Sequence, residues 1–182
     1  MMTSLKISHK ISPKVLQEFL LKLSNETTDN FNPFGKISSS NIDFITNQEL
    51  IRSDKIKFFS FYNDELIAYS YLTKFDKKSK KHNCILGIVI SDNFQGKGFG
   101  KKICKYMIDY AWKKQFNKIW LTVFETNIAA LNLYKSVGFE IEGIFMNDEI
   151  LLEQKRHVIS MAIFKNNFSN IDNRKKIWKS IE

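Results

Sequence analysis

The sequence predicts a single α/β (α+β) domain in which helices flank one β-sheet. Residues 85–90 form a short apolar run, the pattern of a strand buried on both faces, and an amphipathic helix follows up to position 116. Residues 119–124 are rich in β-branched and aromatic side chains and predict the next strand. A strand, a helix and a second strand in this order form a right-handed βαβ unit.

The elements before this unit follow from apolar periodicity and from capping residues. Ser12 is a suitable N-cap and Pro13 a suitable first residue, so a helix is predicted to begin there. Asn-Pro and Phe-Gly steps then predict a loop, and strand-like runs on both sides of Asn63-Asp64 predict a hairpin. The predicted bounds are strand 5–9, helix 13–24, loop 25–36, helix 40–53, strand 56–62 and strand 66–73.

The elements after the unit begin with a short helix, for which Thr126 or Asn127 can act as the N-cap. Gly138 stands where a left-handed residue commonly ends a helix. Two closing strands, 140–146 and 157–165, are predicted to pair with each other.

The composition is that of an ordinary globular domain. A chain of 182 residues with 43% hydrophobic and 26% charged residues is long enough to bury a substantial core as one domain. No secretory signal is evident, and the longest apolar run is far shorter than a membrane span. Cys84 and Cys104 fit no disulfide or metal-ligand pattern. We therefore expect reduced cysteines, no metal, no membrane contact and a cytoplasmic location.

Two lysine-rich stretches contribute to the net charge of +9. One is the predicted loop 74–82, and the other is a basic C-terminal tail, 167–182, beyond a domain expected to span 1–166. These stretches either attract an anionic partner, such as coenzyme A, a nucleotide-linked substrate or RNA, or are solvated surface. Since the chain has no nucleic-acid-binding motif, nucleic acid is not an expected partner. Whether the protein forms a homodimer is left open.

Three glycines at alternate positions, Gly96, Gly98 and Gly100, join the apolar strand to the amphipathic helix. Without Cβ atoms, they let the backbone approach a ligand and direct several N–H groups at the positive end of the helix, which favours phosphate. The turn is not a Walker A loop, because no Ser or Thr follows Lys97. Its spacing also differs from the dinucleotide-binding fingerprint, and no acidic residue lies about 20 residues further on.

A second motif covers residues 127–139 and reads Asn-x-x-Ala-x-x-Leu-Tyr-x-x-x-Gly-Phe. Taken alone, Tyr134 would be interpreted as a core aromatic residue on a helix. The motif follows the glycine turn after one helix and one strand, however, so the two are expected to act together.

The two motifs resemble motifs A and B of the GNAT superfamily of acetyl-CoA-dependent N-acetyltransferases. The motif A pattern, Gln/Arg-x-x-Gly-x-Gly/Ala, is met by Gln95, Gly98 and Gly100, and motif B is met at every named position. The resemblance covers about residues 57–165. It implies a mixed, largely antiparallel sheet flanked by helices, a GNAT domain over 1–166, acetyl-CoA as cosubstrate and no metal.

The resemblance also implies roles for individual residues. The strand before motif A is expected to diverge from its neighbour and to bind pantetheine and the thioester through its backbone. Tyr134 matches the residue that protonates the departing thiolate, a role that a phenol with an ordinary pKa near 10 can fill. The expected cofactor-binding residues are Ile88, Val89, Ile90, Gln95, Gly96, Lys97, Gly98, Phe99, Gly100, Lys101, Asn127 and Tyr134.

The general base is not evident from the sequence. Two positions at which relatives carry a glutamate are Ile85 and Thr122 here. An alkyl ammonium must lose its proton before it can attack, so another residue or a chain of water must accept that proton. The remaining candidates are Glu125, His82, His157 and the Asp148-Glu149 pair.

The resemblance implies acetyl transfer to a primary amine by direct attack in a ternary complex. The basic surface favours a small, anion-bearing acceptor such as a nucleotide-linked amino sugar. Acetylation of a protein N-terminus, as in the ribosomal-protein acetyltransferases of the superfamily, is an alternative. A third possibility is a non-catalytic module of this fold that binds coenzyme A or nucleic acid.

Overall fold

A computed structural model describes residues 4–31 and 36–165 of the chain. The strands are β1 (Lys6–Ser8), β2 (Lys55–Tyr62), β3 (Glu65–Lys74), β4 (Asn83–Ile90), β5 (Lys118–Phe124), β6 (Glu140–Leu151) and β7 (Gln154–Phe164). They form one sheet in the order β1-β2-β3-β4-β5-β7-β6, in which β4 and β5 are parallel and the other neighbours antiparallel. The described helices are α1 (Pro13–Leu21), α2 (Asn25–Asn30), α3 (Ile42–Ile51), α4 (Phe99–Lys113) and α5 (Ile128–Ser136). The predicted fold class is confirmed.

Capping residues set the ends of the first two helices. The Ser12 hydroxyl accepts a hydrogen bond from the Val15 amide at 3.4 Å, so α1 begins where predicted. It ends at Leu21 rather than at 24, because Ser24 caps a separate helix by accepting from the Thr27 amide at 3.2 Å. The predicted loop 25–36 is therefore wrong over α2, and its residues 32–35 lie outside the described part of the chain.

Both predicted hairpins are present, and the second is longer than predicted. Between β2 and β3, Asn63 and Asp64 have φ values of 50° and 60°, which short polar side chains tolerate in a tight turn. Between β6 and β7, Leu152 and Glu153 adopt similar values. The far part of this hairpin is exposed on both faces, so it carries no alternation of apolar and polar residues from which its length could be predicted.

The sheet is covered on both faces, which gives the domain two apolar layers. One layer lies between the sheet and helices α4 and α5, with Ile103, Met107 and Ile119 fully buried. The other lies between the sheet and helices α1 and α3, with Leu16 and Phe59 at its centre. Because side chains alternate along a strand, successive residues of β4 belong to opposite layers.

The lysine-rich loop joins β3 to β4 and therefore lies at the opposite end of β4 from the glycine turn. The predicted tail 167–182 lies outside the described residues, and the domain boundary at 166 stays a prediction. Cys84 and Cys104 are buried and do not form a disulfide. In the described segments, no helix has both the length and the apolar character needed to span a bilayer.

Candidate active site

The parallel strands β4 and β5 separate along their length. Three register pairs join them, of which the last is Ile85 with Trp120, whereas β4 stays paired with β3 as far as Ile90. Within the described chain, backbone groups of β4 that face β5 beyond Ile85 have no register partner in that strand. Because backbone N–H and C=O groups require hydrogen-bond partners, this gap is suited to an extended polar ligand.

A cleft of about 830 Å³ opens at this gap. Two residues predicted for the site do not line it. Phe99 packs against Tyr62, with ring centroids 4.9 Å apart, and the Lys97 ammonium lies 5.7 Å from the ring centroid of Phe94. The predicted residues that do line the cleft are Ile88, Val89, Ile90, Gln95, Gly96, Gly98, Gly100, Lys101, Asn127 and Tyr134.

The glycine turn lies at one side of the cleft and leads into helix α4. Gly96 and Gly98 have φ values of +70° and +81°, and a Cβ added to either would meet no atom within 4 Å. Glycine is therefore favoured by the backbone conformation, and the space beside it is open. Gly98 is also the N-cap of the fifteen-residue helix α4, whose first N–H groups have no partners within the helix. An anion bound here would meet these donors and the positive end of the helix.

Helix α5 forms the other wall of the cleft and begins at a capped residue. Asn127, rather than Thr126, is the N-cap, and its Oδ1 atom accepts a hydrogen bond from the Ala130 amide at 3.0 Å. The helix ends before Gly138, which has a φ of +101° as predicted for a helix-ending glycine. These two ends set the length of α5, from Ile128 to Ser136.

Tyr134 is 7% exposed and lines the cleft from the layer between the sheet and α4. Its ring centroid is 5.7 Å from that of Phe139, so the ring is held by packing. Burial raises the pKa of the Tyr134 hydroxyl well above its usual value, with smaller contributions from Cys104 and Tyr71. The phenol is therefore neutral at physiological pH and can donate a hydrogen bond.

Helix α2, which the sequence analysis missed, is bound directly to the turn. The Asp92 carboxylate accepts hydrogen bonds from the Ser24 amide at 3.0 Å and from the Thr27 hydroxyl at 2.7 Å. Gln95 donates to the Thr27 hydroxyl and to the Ile90 carbonyl, both at 3.0 Å. The exposed side chain of Gln95 thus links α2 to the end of β4 just before the glycine turn.

The same contacts affect the ionisation of Asp92. Partial burial by itself raises the pKa of Asp92, but the hydrogen bonds from Ser24 and Thr27 outweigh it, so the pKa lies below its usual value. Asp92 therefore stays ionised at any pH near neutrality.

Of the candidate bases, only Glu149 lines the cleft in the described part of the chain. His157 is already engaged, since its Nδ1 atom accepts a hydrogen bond from the Asn147 amide at 3.0 Å. A further carboxylate, Glu26 of α2, lines the cleft and was not predicted. Glu26 was missed because the polar sequence of α2 shows no apolar periodicity from which a helix could be predicted. The N-cap residue Ser24 was the one local sign of a helix start there.

The charged residues that line the cleft are Glu26, Asp92, Lys101 and Glu149. Carboxylates outnumber the single lysine, in contrast to the basic chain as a whole. Nowhere in residues 4–31 and 36–165 do three or more His, Cys, Asp or Glu side chains form a group that could hold a metal ion.

The known proteins to which this chain is similar are acetyltransferases. The profile of the Acetyltransferase (GNAT) family matches residues 20–139. Spermidine N(1)-acetyltransferase of Escherichia coli K12 is 33% identical over 82 residues, 44% of each chain. The ribosomal protein bS18-alanine N-acetyltransferase of the same organism is 29% identical over 79 residues, 43% of this chain and 53% of the relative. The chain thus matches about half the length of these curated relatives.

Among solved structures, spermidine N-acetyltransferase from Vibrio cholerae in complex with CoA and spermine has the same fold. Its TM-score is 0.77 at 20% identity, and the superposition covers 91% of this chain and 98% of that one. Since the family profile matches more than half of the sequence, the chain belongs to the GNAT acetyltransferase family.

Proposed function

We propose that the protein is an acetyl-CoA-dependent N-acetyltransferase that joins acetyl-CoA and an amine in one ternary complex. The observation that carries this proposal is the single cleft lined by the unpaired edge of β4, the glycine turn and Tyr134. A pantetheine arm is long and polar at regular intervals, which suits the backbone of Ile88, Val89 and Ile90. The pyrophosphate is assigned to the N–H groups of the glycine turn and to Lys101.

The transfer itself requires stabilisation of two negative charges. When an amine attacks the thioester carbonyl, charge develops on the oxygen, and we assign backbone N–H groups of β4 as the donors that stabilise it. When the C–S bond breaks, charge develops on sulfur, and the Tyr134 hydroxyl supplies a proton there.

For the acceptor, we infer a cationic primary amine such as a polyamine. Glu26 and Glu149 give the cleft an acidic lining, and two of the relatives described above act on spermidine. Carboxylates attract an alkyl ammonium and repel an anionic group. An anion-bearing amino sugar stays an alternative prediction for the acceptor. That prediction was based on the basic surface, and the lysine-rich part of this surface lies at the end of β4 opposite the glycine turn.

A panel of acceptors tests this proposal. The purified protein is incubated with acetyl-CoA and, separately, spermidine, spermine, a peptide with an N-terminal alanine and a nucleotide-linked amino sugar. Free thiol release gives the rate, and mass spectrometry identifies the acetylated product. We expect the highest kcat/KM with a polyamine. Preferred acetylation of the amino sugar or the peptide would overturn the choice of acceptor, and acetyl-CoA binding without transfer to any amine would favour a non-catalytic module.

A further inference from the structure

A buried ion pair lies behind the cleft and has no part in the mechanism above. The Lys55 ammonium donates to both carboxylate oxygens of Glu49, at 2.8 and 2.9 Å, and the two side chains are only 4% and 3% exposed. The Tyr69 hydroxyl donates to the same carboxylate. Removing two charges from water costs several kcal/mol, and apolar residues of similar volume would often serve stability as well. Such a pair therefore calls for an explanation beyond stability.

The ion pair holds a tyrosine that reaches the cleft. The Lys55 ammonium lies 3.9 Å from the centroid of the Tyr71 ring, close enough for a cation–π contact. Tyr71 belongs to β3 and lines the cleft, where it is in register with Gly87 of β4. A Cβ atom added to Gly87 would lie 2.3 Å from Cζ and 2.6 Å from the hydroxyl oxygen of Tyr71. The phenol of Tyr71 thus occupies the space that a Cβ atom at position 87 would fill, so this position requires glycine.

The two tyrosines of the cleft approach β4 from opposite faces of the sheet. Tyr134 belongs to the layer with α4, whereas Tyr71 packs against the layer with α1 and α3. The gap between β4 and β5 connects both faces, and both rings line it. A thioester held along β4 would therefore have one phenol on each side. If Tyr134 serves the departing sulfur, the opposite side is left for the amine.

We propose that the Tyr71 hydroxyl, held above Gly87 by the Lys55–Glu49 pair, accepts a hydrogen bond from the attacking nitrogen of the acceptor. This inference rests on the proposed N-acetyltransferase function. Tyr71 takes no proton from the amine. The ammonium first gives one proton to water, and the neutral nitrogen, whose lone pair is then free to attack, still carries an N–H that it can donate to Tyr71. Burial raises the pKa of Tyr71 to about 12, so the phenol stays neutral over the working range of such an enzyme.

The test compares Tyr71→Phe with Tyr110→Phe. Tyr110 packs against His9 and Phe58 and is not a lining residue, so its variant controls for the general loss of a tyrosine hydroxyl. With the preferred amine, Tyr71→Phe should lower kcat/KM for the acceptor by about 10-fold, the value of one hydrogen bond to a substrate. Its acetyl-CoA dissociation constant, measured by calorimetry, should stay within about threefold of wild type. Tyr110→Phe should change neither quantity.

A second variant tests the ion pair separately. Glu49→Gln with Lys55→Met removes both charges at similar volume, so the fold should be retained and the restraint on Tyr71 lost. We expect acceptor kcat/KM to fall at least threefold, with circular dichroism unchanged. Wild-type acceptor kinetics in Tyr71→Phe would overturn the proposal while leaving the acetyltransferase function intact. Absence of amine acetylation by the wild-type protein would instead overturn the function, and this inference with it.

Discussion

Tyr134 and Asn127 lie on the same short helix, and each is restricted by its surroundings. Asn127 uses its side-chain oxygen to cap α5, so the start of the helix is tied to the end of β5. Tyr134 is held by packing in the apolar layer, and its neutral phenol faces the cleft. The cap at Asn127 and the packing of Tyr134 thus hold the two ends of one short helix beside the cleft.

Replacing Tyr134 by phenylalanine tests the role of its hydroxyl. The ring and its packing against Phe139 are kept, and only the acidic proton is removed. Since general acid catalysis contributes roughly 10²–10⁴-fold, kcat should fall by that order. Acetyl-CoA affinity should stay within a few-fold of wild type, as measured by calorimetry. A kcat within about threefold of wild type, where chemistry limits turnover, would show that another group supplies the proton.

The pH dependence of kcat provides an independent check on Tyr134. An acid catalyst works in its protonated form, and the raised pKa of Tyr134 extends that form to higher pH than an ordinary phenol allows. We therefore expect no decline in kcat near pH 10 that arises from Tyr134. Near that pH, the profiles of the wild type and of Tyr134→Phe should have the same shape. A decline there in the wild type alone would indicate an unshifted tyrosine.

Gly98→Ala should weaken acetyl-CoA binding. An alanine at a φ of +81° is strained, and its Cβ would occupy the open space assigned to the pyrophosphate. The dissociation constant should rise at least 10-fold by calorimetry, with a native circular dichroism spectrum. Gly143→Ala controls for the added methyl group alone, because its Cβ also meets no atom within 4 Å and Gly143 does not line the cleft. Equal affinity in both variants would remove the glycine turn from the proposed binding site.

At the scale of elements, helix α2 lines the cleft and is hydrogen-bonded to the segment that leads into the glycine turn. Glu26 and Thr27 of the helix and its C-cap Phe31 line the cleft. Its N-cap Ser24 and Thr27 donate hydrogen bonds to Asp92, which precedes the glycine turn. The helix has no buried residue of its own, so these polar contacts and its cap hold it in place. Movement of α2 would consequently disturb both the segment before the glycine turn and the part of the cleft that Glu26 lines.

Thr27→Val should loosen this connection. The change removes the donor to Asp92 and the acceptor for Gln95 while keeping the size and β-branching of the side chain. We expect the free energy of unfolding to fall by about 1 kcal/mol in urea titrations and the acetyl-CoA dissociation constant to rise several-fold. The control is Thr28→Val, because the Thr28 hydroxyl donates only to the carbonyls of Ser24 and Asn25. Identical behaviour of the two variants would contradict a brace between α2 and the turn.

The elements that were predicted from sequence are those with a strong local pattern. Strand β4 and helix α4 carry the apolar periodicity that burial imposes, and the glycine turn and α5 carry capping residues at fixed spacing. Helix α2 was missed because it is six polar residues long and is stabilised by contacts with Asp92, distant in sequence. Tyr71 was missed for the same reason, because only the register of β3 and β4 brings it to Gly87.

At the scale of the whole molecule, charge is distributed unevenly with respect to the cleft. The lysine-rich loop before Asn83 and the glycine turn after Ile90 are separated by the length of β4, about 25 Å. None of the residues 74–82 lines the cleft. At physiological salt the Debye length is about 8 Å, so the field of the loop is largely screened at the site.

Neutralising the loop should therefore change catalysis little. In a variant with Lys77, Lys78, Lys80 and Lys81 replaced by glutamine, acceptor KM and acetyl-CoA affinity should stay within about twofold of wild type at 0.15 M salt. Kinetics over a range of ionic strength provide the measurement. A raised acceptor KM together with a flatter salt dependence of kcat/KM would instead show that the loop steers an anionic acceptor.

The gap between β4 and β5 has a consequence for the amount of protein in a cell. Only three register pairs join the two halves of the sheet, so a molecule bound along the gap would complete the fold as well as react there. A ligand whose free concentration is a hundred times its dissociation constant adds about 2.7 kcal/mol to the free energy of unfolding. Starvation for activated acetyl groups would leave more of the chain open to proteases. Enzyme abundance, and not only turnover, would then follow the metabolic supply.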